Sequence, residues 1–273
     1  MAVTREKLAT CDPIWSALRE QAETIIEREP ALASFVHATV LKHDRLEEVL
    51  SYHLANKIGS DDLSPMMTRE IIDEALDADP SIGEAVRADL AAVFDRDPAC
   101  KAHIEALLYY KGFQALECHR IAHWLWHQDR RALARYFQSR ISENFAVDIH
   151  PAAKMGKGIM IDHATGVVIG ETAVVEDDVS IMQGVTLGGT GKETGDRHPK
   201  VRRGVLISLG AKILGNIEIG EYSRVGAGSV VLKNVPPGCT AVGIPARLTN
   251  CAGADRPSQE MNQVIDVDQD KSG

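Results

Sequence analysis

The chain has 273 residues, a formal net charge of −9 at pH 7 and 44% hydrophobic residues. This length suits two domains with buried cores. The acidic balance, without any block of lysine or arginine, predicts that neither nucleic acid nor a membrane surface is a partner. Charged residues interrupt the first thirty positions, and no apolar run is long enough to cross a bilayer, so we expect neither a signal peptide nor a membrane span.

The five cysteines are scattered along the chain without a CxxC pair. This spacing predicts neither a zinc site nor a disulfide framework, and it fits a protein of the reducing cytoplasm. The cysteines are Cys11, Cys100, Cys118, Cys239 and Cys251.

The first half of the sequence, residues 1–147, is predicted to be a helical domain. It contains all three tryptophans but only three of the 22 glycines. Asp12 and Pro13 are a typical N-cap and first helical residue, and Pro30 ends that helix. Further helices are expected over 31–43, 46–58, 104–128 and 130–145, with additional starts at Ser64-Pro65, Asp79-Pro80 and Asp97-Pro98. The abundant apolar surface predicts that this domain also packs against another subunit.

His119, His123 and His127 share one face of the predicted helix 104–128. Histidines at this spacing can ligate a metal, but Trp124 and Trp126 lie beside them, and metal sites usually add a carboxylate or thiolate. A packed interface helix is therefore the favoured interpretation, and we predict no metal.

The second half, residues 148–250, repeats a large aliphatic residue every sixth position. Between Ile161 and Ile169 two extra residues enter the repeat. Such a period is typical of a parallel β-helix, in which each coil buries one inward residue per side against its neighbours. The period does not reveal the handedness of the coil. The inward positions are Ile149, Met155, Ile161, Ile169, Val175, Ile181, Leu187, Val201, Ile207, Ile213, Ile219, Val225 and Val231.

One polar excursion, GGTGKETGDRHPK at 188–200, interrupts the repeat. A glycine-rich loop held by a rigid scaffold is a common place for function. Residues 251–273 are polar, lack a period and are predicted to form a flexible tail.

Two histidines are candidates for chemistry. His163 lies at the two-residue insertion, and His198 lies in the excursion beside Arg197. Asp148 precedes His163 by a little less than one coil, which predicts that the two meet on neighbouring coils. A carboxylate that holds one imidazole nitrogen leaves the other free to accept a proton. The sequence has no nucleophile-elbow serine, so the base is expected to act on a substrate hydroxyl or amine.

The motifs DIHP, DHATG, TLGGTGK and DRHPK, with a helical domain before them and GAGSVV and VGIPAR after them, resemble serine O-acetyltransferases of the hexapeptide acyltransferases. The resemblance extends to about residue 246. It implies an α+β chain in which a helical bundle precedes a left-handed parallel β-helix. It also implies acetyl transfer from acetyl-CoA to L-serine in L-cysteine biosynthesis, with feedback inhibition by L-cysteine.

The resemblance also implies roles for individual residues. His163 is expected to be the general base, and Asp148 is expected to orient it. The serine carboxylate is expected at Arg197 and His198, and its ammonium group at Asp97 and Asp162. The positions implied for acetyl-CoA are Gly188, Gly189, Thr190, Gly210, Ala227 and Lys233.

The implied assembly is a homotrimer with sites between neighbouring subunits, or a dimer of such trimers. Related acetyltransferases often end in an isoleucine that binds O-acetylserine sulfhydrylase. This chain ends in Gly273 instead, which predicts weak or absent binding of that partner.

Three alternatives remain open at the level of sequence. The acceptor of the acetyl group could be an amino sugar or another small molecule. A zinc hydratase on the same β-helix would use His150, His163 and His198 as ligands. A scaffold without catalysis would leave the excursion and the Asp148/His163 pair unexplained.

Overall fold

The computed structural model describes residues 12–191, 194–251 and 256–264. Its first part is helical. A 3₁₀ turn (Pro30–Leu32) precedes α2 and a π-helical turn (His37–Leu41) follows it. The helices are α1 (Pro13–Arg28), α2 (Ala33–Val36), α3 (Leu46–Ile58), α4 (Pro65–Ala78), α5 (Pro80–Arg96), α6 (His103–Tyr109), α7 (Lys111–His127) and α8 (Arg131–Phe145).

Three predicted helix starts are confirmed by their caps. The side chain of Asp12 accepts from Trp15 N, that of Ser64 from Met67 N and that of Asp79 from Ser81 N. A proline stands at the first helical position each time, where its missing N–H costs nothing.

The predicted helix start at Asp97-Pro98 is wrong. Asp97 instead ends α5, and its Oδ1 accepts from Ala99 N at 2.8 Å, so the side chain closes a turn. The expected single helix 104–128 is also divided, because the backbone is extended at Tyr110. Gln114 Nε2 donates to the carbonyl oxygen of Leu107 at 3.1 Å, which satisfies a group freed by this break. The expected second helix 31–43 is likewise a succession of short turns around α2.

The second part is a parallel β-helix of three sheets, as the repeat predicts. The chain passes from sheet 1 to sheet 2 to sheet 3 and back to sheet 1. Sheet 1 contains β1 (Val147–Ile149), β4 (Val167–Ile169), β7 (Thr186–Gly188), β10 (Lys212–Leu214) and β13 (Val230–Val231). Sheet 2 contains β2 (Lys154–Met155), β5 (Val174–Val175), β8 (Lys200–Val201) and β11 (Glu218–Ile219). Sheet 3 contains β3 (Met160–Asp162), β6 (Ser180–Met182), β9 (Leu206–Ile207), β12 (Arg224–Val225), β14 (Thr240–Gly243) and β15 (Ala246–Thr249).

The predicted inward residues form continuous columns. On sheet 3, Ile161 pairs with Ile181, which pairs with Ile207. On sheet 1, Ile149 lies opposite Ile169. All of these side chains are buried. The six-residue repeat therefore reflects stacked coils, in which the inward apolar residue of each coil packs against that of the coil before it.

A hairpin closes the far end of the β-helix. β14 and β15 are antiparallel, with Val242 opposite Arg247, and a disulfide joins Cys239 to Cys251 across the open end of the hairpin. The expectation of no disulfide is wrong for this pair, because the return of the chain brings two cysteines together that lie 12 residues apart. Cys100 and Cys118 are buried free thiols.

The helical part is joined to the β-helix through buried charges. Asp89 Oδ1 of α5 accepts from Ile159 N at 2.7 Å, and Arg120 Nη2 of α7 donates to the carbonyl of Gly156 at 2.7 Å. Arg120 also forms an ion pair with Asp89. Within the predicted tail, α9 (Pro257–Glu260) is described, and the carbonyl of Ser258 accepts from Ser180 Oγ at 2.8 Å. The expectation of flexibility for the rest of 251–273 falls mostly outside the described residues.

None of the described helices is both long and apolar enough to cross a bilayer.

Candidate active site

His163 lies on an unusual turn between β3 and β4, at the corner between sheets 3 and 1. Both His163 and Ala164 adopt positive φ, at 55° and 61°, a conformation that costs energy in residues other than glycine. Two short backbone hydrogen bonds stabilise the turn. Ala164 N donates to the carbonyl oxygen of Asp162 (2.6 Å), and Thr165 N donates to that of His163 (2.7 Å). The side chain of His163 is 71% exposed. The two inserted residues thus build a turn that presents an imidazole to the outside of the coil.

Two carboxylates accompany this imidazole. Asp162 ends β3, and its Oδ2 lies 3.7 Å from His163 Nε2. Burial raises the pKa of Asp162, His163 lowers it, and the negative charge of Asp97 raises it again. The helical part therefore contributes Asp97 to the same site. The mutual repulsion of these two carboxylates favours a cationic ligand near them.

Arg197 and His198 of the excursion lie at a different corner, between sheets 1 and 2. Arg197 Nη2 forms an ion pair with Glu171 Oε2 at 2.7 Å. Thr172 Oγ1 lies 2.9 Å from His198 Nδ1. Burial, followed by the charge of Arg197, lowers the pKa of His198. The corner therefore presents a guanidinium and a neutral imidazole, which suit an anionic group.

Asp148 is the middle residue of β1 in sheet 1. In the sheet register it pairs with Val168 of the next coil, so the register does not place it directly opposite His163, and the meeting of Asp148 and His163 stays a prediction. The insertion after Ile161 lengthens that coil and shifts the alignment. Asp148 Oδ1 instead accepts from Gln138 Nε2 of α8 at 2.7 Å. Asp148 and Arg197 both influence the pKa of His150, which places them in one electrostatic neighbourhood.

The predicted site residues thus fall into two groups at opposite edges of sheet 1. We call Asp97, Asp162 and His163 the acidic half-site, and Asp148, Arg197 and His198 the basic half-site. Within the described part of one chain, no hydrogen bond or ion pair joins the two groups.

The positions predicted for acetyl-CoA divide in the same way. Gly210 and Ala227 lie at the corner of His163, and Gly210 has a φ of 69°. Gly188 ends β7, and Gly189, Thr190 and Lys233 follow sheet 1 at the corner of Arg197. A Cβ on Gly189 would lie 3.5 Å from His198 Nε2, so this backbone adjoins the basic half-site. Thr190, Ala227 and Lys233 are exposed.

The zinc alternative requires three histidines around one ion. His150 Nδ1 accepts from Ala152 N at 3.0 Å, and His150 lies with His198 at the corner between sheets 1 and 2. His163 lies at the other corner. In the parts of the chain that the structure describes, no three histidine, cysteine or acidic side chains are arranged to hold a metal ion.

The histidine row of α7 contacts the base of the β-helix. His119 is buried, and His123 Nδ1 lies 2.8 Å from the carbonyl oxygen of Pro151. An adjacent cavity of about 600 Å³ is lined by parts of α5 and α7 and by the coil at Met155. None of the predicted site residues lines this cavity. The row therefore fits the predicted packed interface.

Several residues around the two half-sites were missed from sequence. Glu171 and Thr172 bind Arg197 and His198, and Gln138 holds Asp148. These three residue types are common in turns and helices, so only their contacts in the folded structure reveal that they adjoin the site.

Comparison with known proteins places these features in a family. The family model "Serine acetyltransferase, N-terminal" matches residues 14–118. A serine acetyltransferase of Salmonella typhimurium is 56% identical over 250 residues, which cover 92% of this chain and 92% of the relative. The crystal structure of serine acetyltransferase from Vibrio cholerae is 57% identical, with a TM-score of 0.91 over 92% of this chain and 98% of that one.

Other similar structures carry ligands. A serine acetyltransferase in complex with cysteine has a TM-score of 0.91 and 55% identity, over 92% of this chain and 98% of the other. A Brucella abortus serine acetyltransferase in complex with coenzyme A has a TM-score of 0.88 and 51% identity, over 89% and 97%. A soybean serine acetyltransferase complexed with serine has a TM-score of 0.85 and 56% identity, over 86% and 97%.

Proposed function

This chain belongs to the serine acetyltransferase family, and we propose that its active site forms where the acidic half-site of one subunit meets the basic half-site of another. The reaction is acetyl transfer from acetyl-CoA to the hydroxyl of L-serine, which gives O-acetyl-L-serine and CoA. The enzyme is inhibited by L-cysteine, as the complex of a close relative with cysteine supports.

The charges of the two half-sites match the two ends of a zwitterion. Arg197 and His198 hold the serine carboxylate, because a guanidinium and an imidazole N–H both donate to oxygen. Asp97 and Asp162 hold the ammonium group, whose positive charge relieves the repulsion between these carboxylates. The hydroxymethyl group of the substrate then lies between the two ends, next to His163.

His163 acts as the general base. Its exposed ring accepts the proton of the serine hydroxyl as the oxygen attacks the thioester carbon, and the imidazolium returns that proton to the departing thiolate of CoA. Asp148 of the neighbouring subunit orients the ring. The backbone at Gly188, Gly189 and Thr190 and the positions Gly210, Ala227 and Lys233 form the groove for acetyl-CoA, the co-substrate.

One observation carries this arrangement: complementary groups needed for one substrate lie at opposite edges of the same sheet. A single chain thus offers two incomplete sites, whereas a ring of chains completes one site at each contact. We propose a homotrimer on this ground. The exposed apolar side chains Leu32, Phe35, Met66 and Met67 of the helical part support a further contact between two trimers.

Subunit mixing tests this proposal. His163→Asn removes the base of the acidic half-site and Arg197→Met weakens serine binding at the basic one, so each variant alone is expected to have little activity at a low serine concentration. Trimers that contain both variants retain one contact with two intact half-sites, and an equal mixture should recover roughly a quarter of the wild-type turnover. The assay follows thiol release from acetyl-CoA with and without L-serine.

The control is a mixture of His163→Asn with Asp162→Asn, two changes in the same half-site, which should recover nothing. Failure of the first mixture to regain activity, with mixed trimers verified by tagged pull-down, would place the whole site in one chain. Thiol release that depends on an amino sugar and not on serine would instead favour the alternative acceptor.

The role of the base is tested separately. In His163→Asn, kcat should fall by about 10²- to 10⁴-fold, because asparagine keeps a hydrogen bond but accepts no proton. In Asp148→Asn, kcat should fall less, because this change disturbs only the orientation of the His163 ring. Near-normal turnover in His163→Asn would remove this residue from the mechanism.

We also propose a cytoplasmic location. The co-substrate acetyl-CoA is an intracellular metabolite, and this supports the proposal although the Cys239–Cys251 disulfide is a bond more typical of oxidising compartments. Fractionation of cells that express the tagged chain would test this.

A further inference from the structure

Thr172 is connected to both residues of the proposed carboxylate clamp. It follows β4 at the corner between sheets 1 and 2, one coil away from the excursion. Its Oγ1 accepts from Arg197 N at 3.0 Å and from His198 N at 3.1 Å, and it lies 2.9 Å from His198 Nδ1. One hydroxyl therefore engages the backbone and the ring of the clamp.

These contacts determine which ring nitrogen of His198 carries the proton. The backbone N–H of Thr172 also points at His198 Nδ1, at 3.2 Å, and an N–H can approach only a nitrogen that has a free lone pair. Because Oγ1 already accepts from two N–H groups, its own hydrogen is free to point at Nδ1. His198 is thus held as the tautomer with its hydrogen on Nε2.

The location of His198 Nε2 determines where this tautomer can donate a hydrogen bond. A Cβ added to Gly170 would overlap the His198 ring, so the ring lies flat against the corner of the coil below. Nε2 also adjoins the Gly189 backbone, where the excursion leaves the β-helix. The hydrogen on Nε2 therefore lies beside the backbones of Gly170 and Gly189, next to the place proposed for the serine carboxylate.

A second contact restrains Thr172 from its other side. Lys200 Nζ donates to the carbonyl oxygens of Thr172 (2.9 Å) and His198 (2.8 Å) and pairs with Asp196 (2.6 Å). The two ends of the excursion are thereby fixed to residue 172, although the loop between them is long and rich in glycine.

We propose that Thr172 is a positioning residue for serine recognition, which fixes His198 as a neutral Nε2–H donor and holds Arg197 beside it. This inference rests on the proposed role of Arg197 and His198 as the carboxylate clamp. It assigns Thr172 no contact with the reacting atoms. Its effect is expected on the binding of the carboxylate, and neither on proton transfer at the other half-site nor on acetyl-CoA.

Thr172→Val tests the role of the hydroxyl with little change of shape. The variant leaves two backbone N–H groups without their acceptor and removes the O–H donor to the ring. We expect the KM for L-serine to rise by about tenfold or more, while the KM for acetyl-CoA stays within roughly twofold and kcat within roughly threefold. Thr172→Ser keeps the hydroxyl and should restore the wild-type KM for serine.

Thr249→Val, a change of the same kind in β15 far from both half-sites, is the matched control and should leave both KM values unchanged. The inhibition constant for L-cysteine should rise in Thr172→Val by about the same factor as the KM for serine, because both ligands present the same carboxylate. Equal rises in both KM values in Thr172→Val would show a general disturbance of the loop and overturn the proposal. A KM for L-serine that is raised equally in Thr172→Ser would also overturn it.

His198→Gln and Arg197→Met separate the two hypotheses. If neither raises the KM for serine, the carboxylate clamp itself is wrong. If both raise it and Thr172→Val does not, the clamp stands and the positioning role of Thr172 is refuted.

Discussion

Gly112 packs its backbone directly against the carbonyl oxygen of Ile161, with no room for a side chain between them. A Cβ at residue 112 would overlap that oxygen and come within 3.2 Å of the Ala164 methyl group. The neighbouring Lys111 donates to Thr165 Oγ1. The first turn of α7 therefore touches both ends of the strained turn that presents His163.

Gly112→Ala should consequently impair catalysis as well as stability. Alanine favours a helix over glycine by about 1 kcal/mol, which offsets part of the cost of moving α7. Moving the turn displaces His163, and misplacement of about 1 Å can cost about 100-fold. We expect kcat to fall by about 10- to 100-fold and the thermal midpoint to fall as well, because the overlap is with backbone, as measured by steady-state kinetics and calorimetry.

Gly83→Ala is the matched control for this change. Gly83 is also helical, but a Cβ there would meet Glu47 Oε1, the end of a flexible side chain that can move aside. This variant should keep wild-type turnover. Wild-type kcat in Gly112→Ala would show that the contact with Ile161 does not position the base.

The buried charge network between the two parts predicts a pH-dependent stability. Burial, and then the charge of Asp89, raises the pKa of Glu117. Arg120 Nε lies 3.2 Å from Glu117 Oε2, yet neither carboxyl oxygen has a well-formed hydrogen bond in the described structure. Because the folded state holds this proton more tightly than the unfolded state, unfolding free energy falls as pH rises above the unfolded pKa of about 4.3.

Glu117→Gln should remove this fall of the unfolding free energy with rising pH. The variant is expected to match the wild type below the unfolded pKa and to be more stable than the wild type at alkaline pH. Urea unfolding from pH 4 to pH 9 measures the difference, with the exposed Glu84→Gln as control. A constant difference between Glu117→Gln and the wild type across this range would contradict a raised pKa.

Inhibition by L-cysteine should be competitive with L-serine. The two amino acids differ only at the γ atom, so the clamps formed by Arg197 with His198 and by Asp97 with Asp162 accept both. Raising serine should relieve the inhibition completely in steady-state kinetics. Inhibition that persists at saturating serine would require a separate site for cysteine.

The sequence predicted the β-helix correctly because its inward column is a local regularity. Ile161, Ile181 and Ile207 are spaced by the geometry of the coil itself, so periodicity alone identifies their direction. Helix starts such as Asp79-Pro80 were equally predictable, since a cap involves only neighbouring residues.

Features that depend on how coils align were not predictable. The strand partner of Asp148 is Val168 because two inserted residues lengthen that coil, and Gln114 caps the carbonyl of Leu107 at the break near Tyr110. Thr172 and Gln138 acquire their partners only through contacts between distant segments. Periodicity identifies which side chains point inward, whereas the partners of outward side chains are determined by the folded neighbourhood.

The hairpin of β14 and β15 has a consequence for solubility. The terminal strands of a stack of parallel coils have unpaired backbone groups, which can pair with a strand of another molecule. Here β15 runs antiparallel on the edge of sheet 3 and carries Arg247, and α7 and α8 cover the opposite end of the stack near β1 and β3. Addition of further chains is thereby opposed at the edge of sheet 3 by the charge on β15, and at the other end of the stack by helices.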